Sequence, residues 1–582
     1  MKYIKRTSDL VNHKMYNSYL ASLLYDRQII SQDRQDLLDF LNPKKDMLIS
    51  PYLLDNIEDG AKLLIDFLQQ NKKILFVVDS DLDGFTSSAE LWNYIIWHFP
   101  DAQLQYYLHD GKQHGLEDCY EYILTQNVDL VICPDSSSND YEYHKILSEH
   151  NISILVLDHH LAPEYSSYAT VINNQLSKNY TNKELTGASV VYKFLCVLDD
   201  KLGFNDADYF LDLASMGSIG DMSDITSLEN RYINCIGLSH INNPCLKELI
   251  MKQSYSIGST TEITPTDVSF YITPLVNALI RVGSAKEKEI LFESFINGTK
   301  MIESTKRGAK GTFESLAEQN ARNCINARAR QNREKEKGLE QLKIQIFNEE
   351  KDSNKILIAD ASDIDINNTL TGLVAMNLAA EYKKPTMLGR LGTDNKFRGS
   401  CRGINESELK DFRQFLLDSN LMEFAEGHAN SFGFEIKNSN IPKLINYANT
   451  KLATVNFNEG FYEVDYVLSA NSTLIAPIIT EMGDFKALWG KGNPECVMAI
   501  ENIPVNNYEI IGKNKDTLKF SFNNITYIKF KAQDLIDKIL MISEPFIVNV
   551  VGRPNVNEWN GISKPQILID DIDYQIVDDT TF

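Results

Sequence analysis

Short apolar runs alternate with longer amphipathic stretches through the first third of the chain. Residues 74–78, 128–133 and 152–157 are aliphatic and β-branched and too short for buried helices, so they predict strands. Helix-period patterns follow the first two, at 88–99 and up to His150, and a loop follows the third. Strand-then-helix units of this length predict an α/β fold with a parallel sheet buried on both faces. A polar, helical stretch precedes them. Residues 311–345 lack proline, and Phe313, Leu316, Ala317, Cys324 and Ala327 approximate one helical stripe, which predicts a long connecting helix. A second, smaller α/β segment reads as strand 356–359, helix 369–382, strand 386–388 and glycine-rich turns as far as Phe434. Beyond about residue 455, alternation in 518–522, an Asn523-Asn524 turn and the run 525–530 predict hairpins of a small β-barrel.

Composition narrows this picture without changing it. A chain of 582 residues exceeds one core and predicts three or four domains at roughly 150 residues each. No apolar run approaches the ~20 residues of a membrane helix, and residues 1–27 lack a signal-peptide core, so a cytoplasmic protein without membrane contact is expected. Eight cysteines without a C-x-x-C pair fit reduced, buried thiols rather than disulfides or zinc. The net charge of -23 argues against a nonspecific nucleic-acid coat. Residues 301–345 nevertheless hold ten Lys/Arg against six Asp/Glu, a net of +4 that leaves the remainder at -27. That contrast reads as a positive strip on a repelling body, or more plainly as a solvated helix face.

Candidate chemistry begins where the strand 74–78 runs into Asp79-Ser80-Asp81-Leu82-Asp83-Gly84. Three carboxylates at alternate positions repel one another in a partly dry site unless each reaches water or a divalent cation neutralises them. Asp79, Asp81, Asp83, Gly84 and Glu90 also fit the calcium-loop spacing D-x-D-x-D-G-x5-E, although a strand precedes them where an EF-hand has a helix. A plain acidic turn is the third reading, and this segment alone leaves the three level. Asp135 and Asp158 also follow apolar strands, which puts all three strand ends on the sheet edge where ligands bind. Asp158-His159-His160 supplies a neutral nitrogen ligand, an acid and an orienting carboxylate. Gly217-Ser218-Ile219-Gly220-Asp221-Met222-Ser223-Asp224 adds a further acidic turn. Together these residues offer enough oxygen and nitrogen ligands for two Mn²⁺ or Mg²⁺ ions.

The order of DSDLDG, Asp135, Asp158-His159-His160 and GSIGDMSD resembles the DHH phosphoesterase superfamily, and within it the RecJ-like single-strand-specific exonucleases. With that resemblance the calcium-loop reading falls away, and Glu90 becomes a helix residue without a metal. Further pieces stand in the family's order: FLNP at 40–43, TGAS at 186–189, LENR at 228–231 with Gly237-Leu238, and PLVNALIR at 274–281. RGSCR at 398–402, Gly427-His428, Gly433-Phe434, WGKGNP at 489–494, and NEWNG at 557–561 with Gln566-Ile567 continue the likeness to the tail. The chain departs from the pattern in Asp135-Ser136-Ser137-Ser138, in Glu426 before Gly427, and in Leu279-Ile280 within NALIR. It also lacks an arginine in 106–116, where relatives place a 5′-phosphate contact; His109 and Lys112 are the available substitutes. A divergent, phage-borne member fits these departures.

The resemblance implies a helical extension at 1–48, a DHH catalytic domain at 49–300, a basic connecting helix at 301–345, a DHH-associated domain at 346–454 and an OB-like domain at 455–582. It implies one ion on Asp79, Asp81 and Asp135 and another on Asp83, Asp135, His159 and Asp221, with Asp135 bridging. His160 and Asp158 would act on the phosphate, and Arg281, Ser400, Arg402 and His428 would bind it. Tyr508, Tyr527 and Trp559 are candidate stacking faces, though half of any alternating strand faces inward. The implied activity is 5′→3′ hydrolysis of single-stranded DNA to mononucleotides by a monomer, with a helicase or single-strand-binding protein as its protein partner. An oligoribonucleotide or cyclic-dinucleotide phosphodiesterase, and a catalytically silent replication scaffold, are the alternatives. A scaffold is expected to lose ligands, whereas all six positions here hold Asp or His.

Overall fold

The structure is a computed structural model that describes residues 1–6, 15–111, 113–258, 262–541, 546–559 and 562–576, without the side chains of Trp559 and Ile576. Lys112 and the Asn560-Gly561 pair of the sequence reading lie outside the described residues. The chain divides into two units: Leu38–Asn332 with Ala487–Pro494, and Met1–Leu37 with Arg333–Lys486 and Glu495–Phe582.

The first unit is built on five parallel strands, β1 (Lys73–Val78), β2 (Gln103–Leu108), β3 (Leu130–Pro134), β4 (Ser153–Asp158) and β5 (Thr170–Asn173), ordered 2-1-3-4-5. Alternate residues of β1, β3 and β4 feed separate cores: Ile74, Phe76, Ile132 and Leu155 enter one, and Leu75, Val77, Val131 and Val156 the other. Both faces are therefore dry, which is why these strands read as continuous apolar runs. β2 and β5 escape the sequence reading; β2 is only half-buried and carries Gln at alternate positions. The helix expected from residue 88 begins six residues earlier, as α1 (Leu82–His98), because the Asp81 side chain accepts from Gly84 N and caps it. Downstream, α2 (Gly187–Leu202), α3 (Leu211–Gly220) and α4 (Leu228–Ser239) cover the sheet.

The long helix is present as α5 (Leu316–Asn348), 33 residues without a break. Leu316, Ala317, Cys324 and Ala327 are buried as the stripe predicts, but Phe313 lies in a short strand before the helix and is 68% exposed. The basic stretch is paired in part. Arg322 makes two bonds to Glu314 at 2.6 and 2.7 Å, Arg330 meets Glu287 at 2.9 Å, and Lys343 meets Glu381 at 2.6 Å. Two of these three partners, Glu287 and Glu381, come from outside the stretch, so part of the local charge excess is paired.

In the second unit β6 (Leu357–Asp360), β7 (Thr386–Leu391), β8 (Lys396–Arg402), β9 (Met422–His428) and β10 (Ser431–Lys437) form a sheet ordered 9-10-8-7-6, with α6 (Thr371–Tyr382) packed on β7 and β8. The glycine-rich stretch expected as turns is thus largely strand. Gly399 is required there because a Cβ would run into the backbone of Leu388. A seven-stranded sheet follows and contains the expected hairpin, Thr517–Phe522 with Ile525–Lys529. Tyr527 is fully buried, its ring stacked on Phe520 at 5.1 Å, which removes it as a stacking face; Tyr508 is half-buried. The N-terminus is not wholly helical: Lys2–Lys5 is a strand paired in parallel with Phe461–Val464, and buried Asp465 receives Arg27 at 2.9 Å. Among the described residues no helix is long and apolar enough to cross a membrane.

Candidate metal centre

The carboxyl ends of β1, β3 and β4 deliver the centre. Asp79 follows β1 and is buried, Asp81 caps α1, and Asp83 sits in its first turn. One strand-to-helix turn therefore aims three carboxylates along a single rim. Asp83 accepts from Gly187 N at 2.7 Å and Ala188 N at 2.9 Å, so the first amides of α2 hold it. Asp135, one residue past β3, adopts a left-handed backbone with φ +65°, and its N–H donates to Leu157 O at 2.8 Å. Asp221 follows α3 as its C-cap.

Side chains from these four places converge. Ligand-capable atoms of Asp79, Asp81 and Asp135 lie within 4.8 Å of one another, as do those of Asp83, His159 and Asp221. His159 Nε2 is 3.2 Å from Asp135 Oδ1, 3.7 Å from Asp221 and 3.9 Å from Asp83. All six sequence-predicted ligands are brought together, with Asp135 between the two groups. Glu90 belongs to neither group; it is buried on α1, and its carboxylate oxygens accept no hydrogen bond.

The donor set fits divalent cations on its own chemistry. Asp135 Oδ1 is buried and accepts no hydrogen bond. Burial pushes the carboxyls of Asp79, Asp83, Asp135 and Asp221 up, and neighbouring carboxylates push Asp83, reaching about 8, and Asp135 further. Burial and the adjacent His160 hold the His159 imidazole down, in the neutral form a ligand needs. Packed acids that are costly to ionise without a counter-charge are what bound cations relieve.

Beside this set, His160 Nδ1 lies 2.8 Å from Asp158 Oδ1, and Asp158 also accepts from the amides of Ser138 at 3.0 Å and His159 at 2.7 Å. Burial alone would raise the Asp158 carboxyl, but these donors hold it well below the usual range, and Asp158 in turn raises half-exposed His160 to about 9 against the effect of burial. Two further features were missed in the sequence. His114 places Nδ1 2.9 and 2.8 Å from the two oxygens of Asp79. The segment 489–494, expected in the tail domain, belongs to the first unit: Ile225 N donates to Lys491 O at 3.1 Å, and Lys491 pairs with Glu184 at 2.8 Å. His109 is buried and bonded to Asp118 at 3.0 Å, so it does not stand in for the missing arginine. Arg281 ends the helix Thr273–Val282.

Ser400, Arg402 and His428 belong to the second unit. Arg402 and His428 both stand opposite Ser431 on β10, and Ser400 is two residues from Arg402, so all four project from one sheet face. That face meets the N-terminus of α6, where a Cβ on Gly372 would run into the Arg402 guanidinium and approach Ser400 Oγ at 3.5 Å. A forked cation, hydroxyls and a helix N-terminus are the parts of an anion site. Ser431 joins it through register, a relation that sequence spacing hides.

A second crowding point sits at the metal centre. A Cβ on Gly187 would overlap the Asp135 carboxylate. Gly187→Ala is expected to push that side chain aside and reduce catalysis about a hundredfold, the cost of a displacement near 1 Å. Circular dichroism should show an unchanged fold; an unchanged rate would remove Asp135 from the chemistry.

Comparison with known proteins places this arrangement. Residues 73–217 match the family model for the DHH N-terminal domain, and residues 472–571 match the RecJ OB domain. Parallel-sheet domain, acidic and histidine centre and OB domain thus define a DHH-type phosphoesterase. The chain is 37% identical over 569 residues, 96% of its length and 97% of the relative's, to YorK of Bacillus subtilis strain 168, an SPbeta prophage-derived protein named as a single-strand DNA-specific exonuclease. It is 26% identical over 573 residues to the single-stranded-DNA-specific exonuclease RecJ of B. subtilis, covering 95% of the chain and 67% of that protein. The crystal structures of Thermus thermophilus RecJ with Mn²⁺ and with Mg²⁺ share the fold, at TM-scores of 0.73 and 0.67 and identities of 20% and 19%, over 98% of this chain and 79% and 78% of theirs. This chain belongs to the RecJ-like exonuclease family.

Proposed function

We propose that the protein is a Mn²⁺- or Mg²⁺-dependent 5′→3′ exonuclease that hydrolyses single-stranded DNA to 5′-mononucleotides. What supports this reading above all is the convergence of Asp79, Asp81, Asp83, Asp135, His159 and Asp221 in two groups of ligand distance. Asp79, Asp81 and Asp135 hold one ion; Asp83, His159, Asp221 and the shared Asp135 hold the other. Bound there, the pair of ions activates water and neutralises charge on the phosphodiester. The chain's own residues do the rest. Asp158 fixes the His160 ring through Nδ1 and leaves Nε2 for a phosphate oxygen. Arg281 in the first unit, and Ser400, Arg402 and His428 with Ser431 in the second, take phosphate oxygens along the strand. The OB domain, a module that handles longer strands elsewhere, favours polynucleotide over dinucleotide substrates. The reading calls for a cytoplasmic monomer working on strands exposed by a helicase or held by a single-strand-binding protein.

The test follows strands labelled at either end. Wild-type protein in Mn²⁺ should release mononucleotides from the 5′ end of single-stranded DNA first, leave duplex ends intact, fall to background with chelator and recover when Mn²⁺ is restored. Release from the 3′ end, or cleavage of cyclic dinucleotides alone, would overturn the polarity or the substrate class.

A further inference from the structure

His114 is the residue whose placement goes furthest beyond the ligand set. Its Nδ1 is nearly equidistant from both Asp79 oxygens, at 2.9 and 2.8 Å, while the ring remains 58% exposed. The ring N–H thus points into the fork of the carboxylate and engages the lone pairs facing it, leaving the outer lone pairs for another partner. The approach is built by the surrounding loop. Gly115, with φ +68°, passes so close to Asp140 that a Cβ would strike its carboxylate and crowd Ser137 Oγ at 3.3 Å. Leu116 N donates to Asp140 Oδ2 at 2.8 Å, and on the other side of His114 the loop is tied by His109 to Asp118. Gly115 and Leu116 fix the backbone directly after His114, which sets where its ring meets Asp79.

We propose that His114 is a positioning residue for Asp79: its Nδ1–H fixes the rotation of the carboxylate so that Asp79 turns its outer lone pairs toward a cation in a set direction. The inference rests on the metal reading above. Donors that orient a ligand in this way are worth about 10- to 100-fold in metal affinity.

Mn²⁺ binding to the full chain, followed by titration calorimetry and by the electron paramagnetic resonance of free ion, tests it with three variants. The amide nitrogen of Asn falls where Nδ1 lies in His, whereas that of Gln falls nearer Nε2. His114→Ala and His114→Gln should weaken one of two Mn²⁺ sites about 10- to 100-fold, and His114→Asn should restore most of the loss, with all three variants folded and unfolding cooperatively without Mn²⁺. Two wild-type sites in His114→Ala would overturn the proposal. So would an Asn variant as weak as Ala, which would make the imidazole a ligand itself. Wild-type protein that binds no Mn²⁺ would overturn the metal reading and this inference with it.

Discussion

Asp135→Asn should leave a folded protein that binds at most one Mn²⁺ and hydrolyses single strands at least about a thousandfold more slowly. The rate estimate is the several kcal/mol of transition-state charge stabilisation that a two-cation clamp supplies, at about 1.4 kcal/mol per tenfold. Asp135 is the right position to ask because it belongs to one ligand group, lies 3.2 Å from His159 of the other, and carries an Oδ1 that accepts no hydrogen bond. Asn preserves the shape and tolerates the left-handed backbone that Asp135 occupies at φ +65°. Removing one of several crowded carboxylates should also raise the unfolding temperature of the metal-free protein, because the charge there is costly until a cation arrives. Opposite signs for activity and stability separate a ligand from a structural residue. A variant with wild-type turnover would remove Asp135 from the centre.

Glu229→Ala is expected to damage stability rather than chemistry. Lys193 and Glu229 are each 1% exposed and paired at 2.8 Å, and Tyr180 and Asn182 also donate to the Glu229 carboxylate, at 2.8 and 3.0 Å. Truncating the acid strands a buried ammonium, a phenol and an amide, which costs about 3–5 kcal/mol. In a unit of this size the melting transition should fall by about 10 °C. Replacing both partners, as Lys193→Met with Glu229→Leu, should recover much of the loss, since well-packed apolar side chains substitute for a buried ion pair. Calorimetric scans of the single and double variants decide the matter: equal melting of Glu229→Ala and wild type would mean that the pair carries no stability.

Three strands of the parallel sheet, β1, β3 and β4, and the carboxylates at their ends were legible because each rests on a local signal. Dry strands are continuous apolar runs, and strand-end carboxylates sit at fixed offsets from them. What the sequence hid was decided between segments. His114 reaches Asp79 only because Gly115 and Asp140 shape a loop that no periodicity describes. Two partners of the basic stretch, Glu287 and Glu381, come from other helices and stand outside any local count of its charge. Gly399 read as a turn because glycine marks both turns and close strand approach, and only the neighbouring Leu388 backbone distinguishes them. The early start of α1 turned on Asp81, whose side chain serves as a cap in a run chosen for charge.

The eight residues Ala487–Pro494 belong to the first unit although unit-two chain flanks them on both sides. In genetic terms the catalytic half is not a cassette. A recombination event that exchanged the tail, or an expression plasmid ending after the second α/β segment, would discard the stretch whose Lys491 carbonyl accepts from Ile225 and whose ammonium pairs with Glu184. The insert has to be inherited together with the distant segment it contacts.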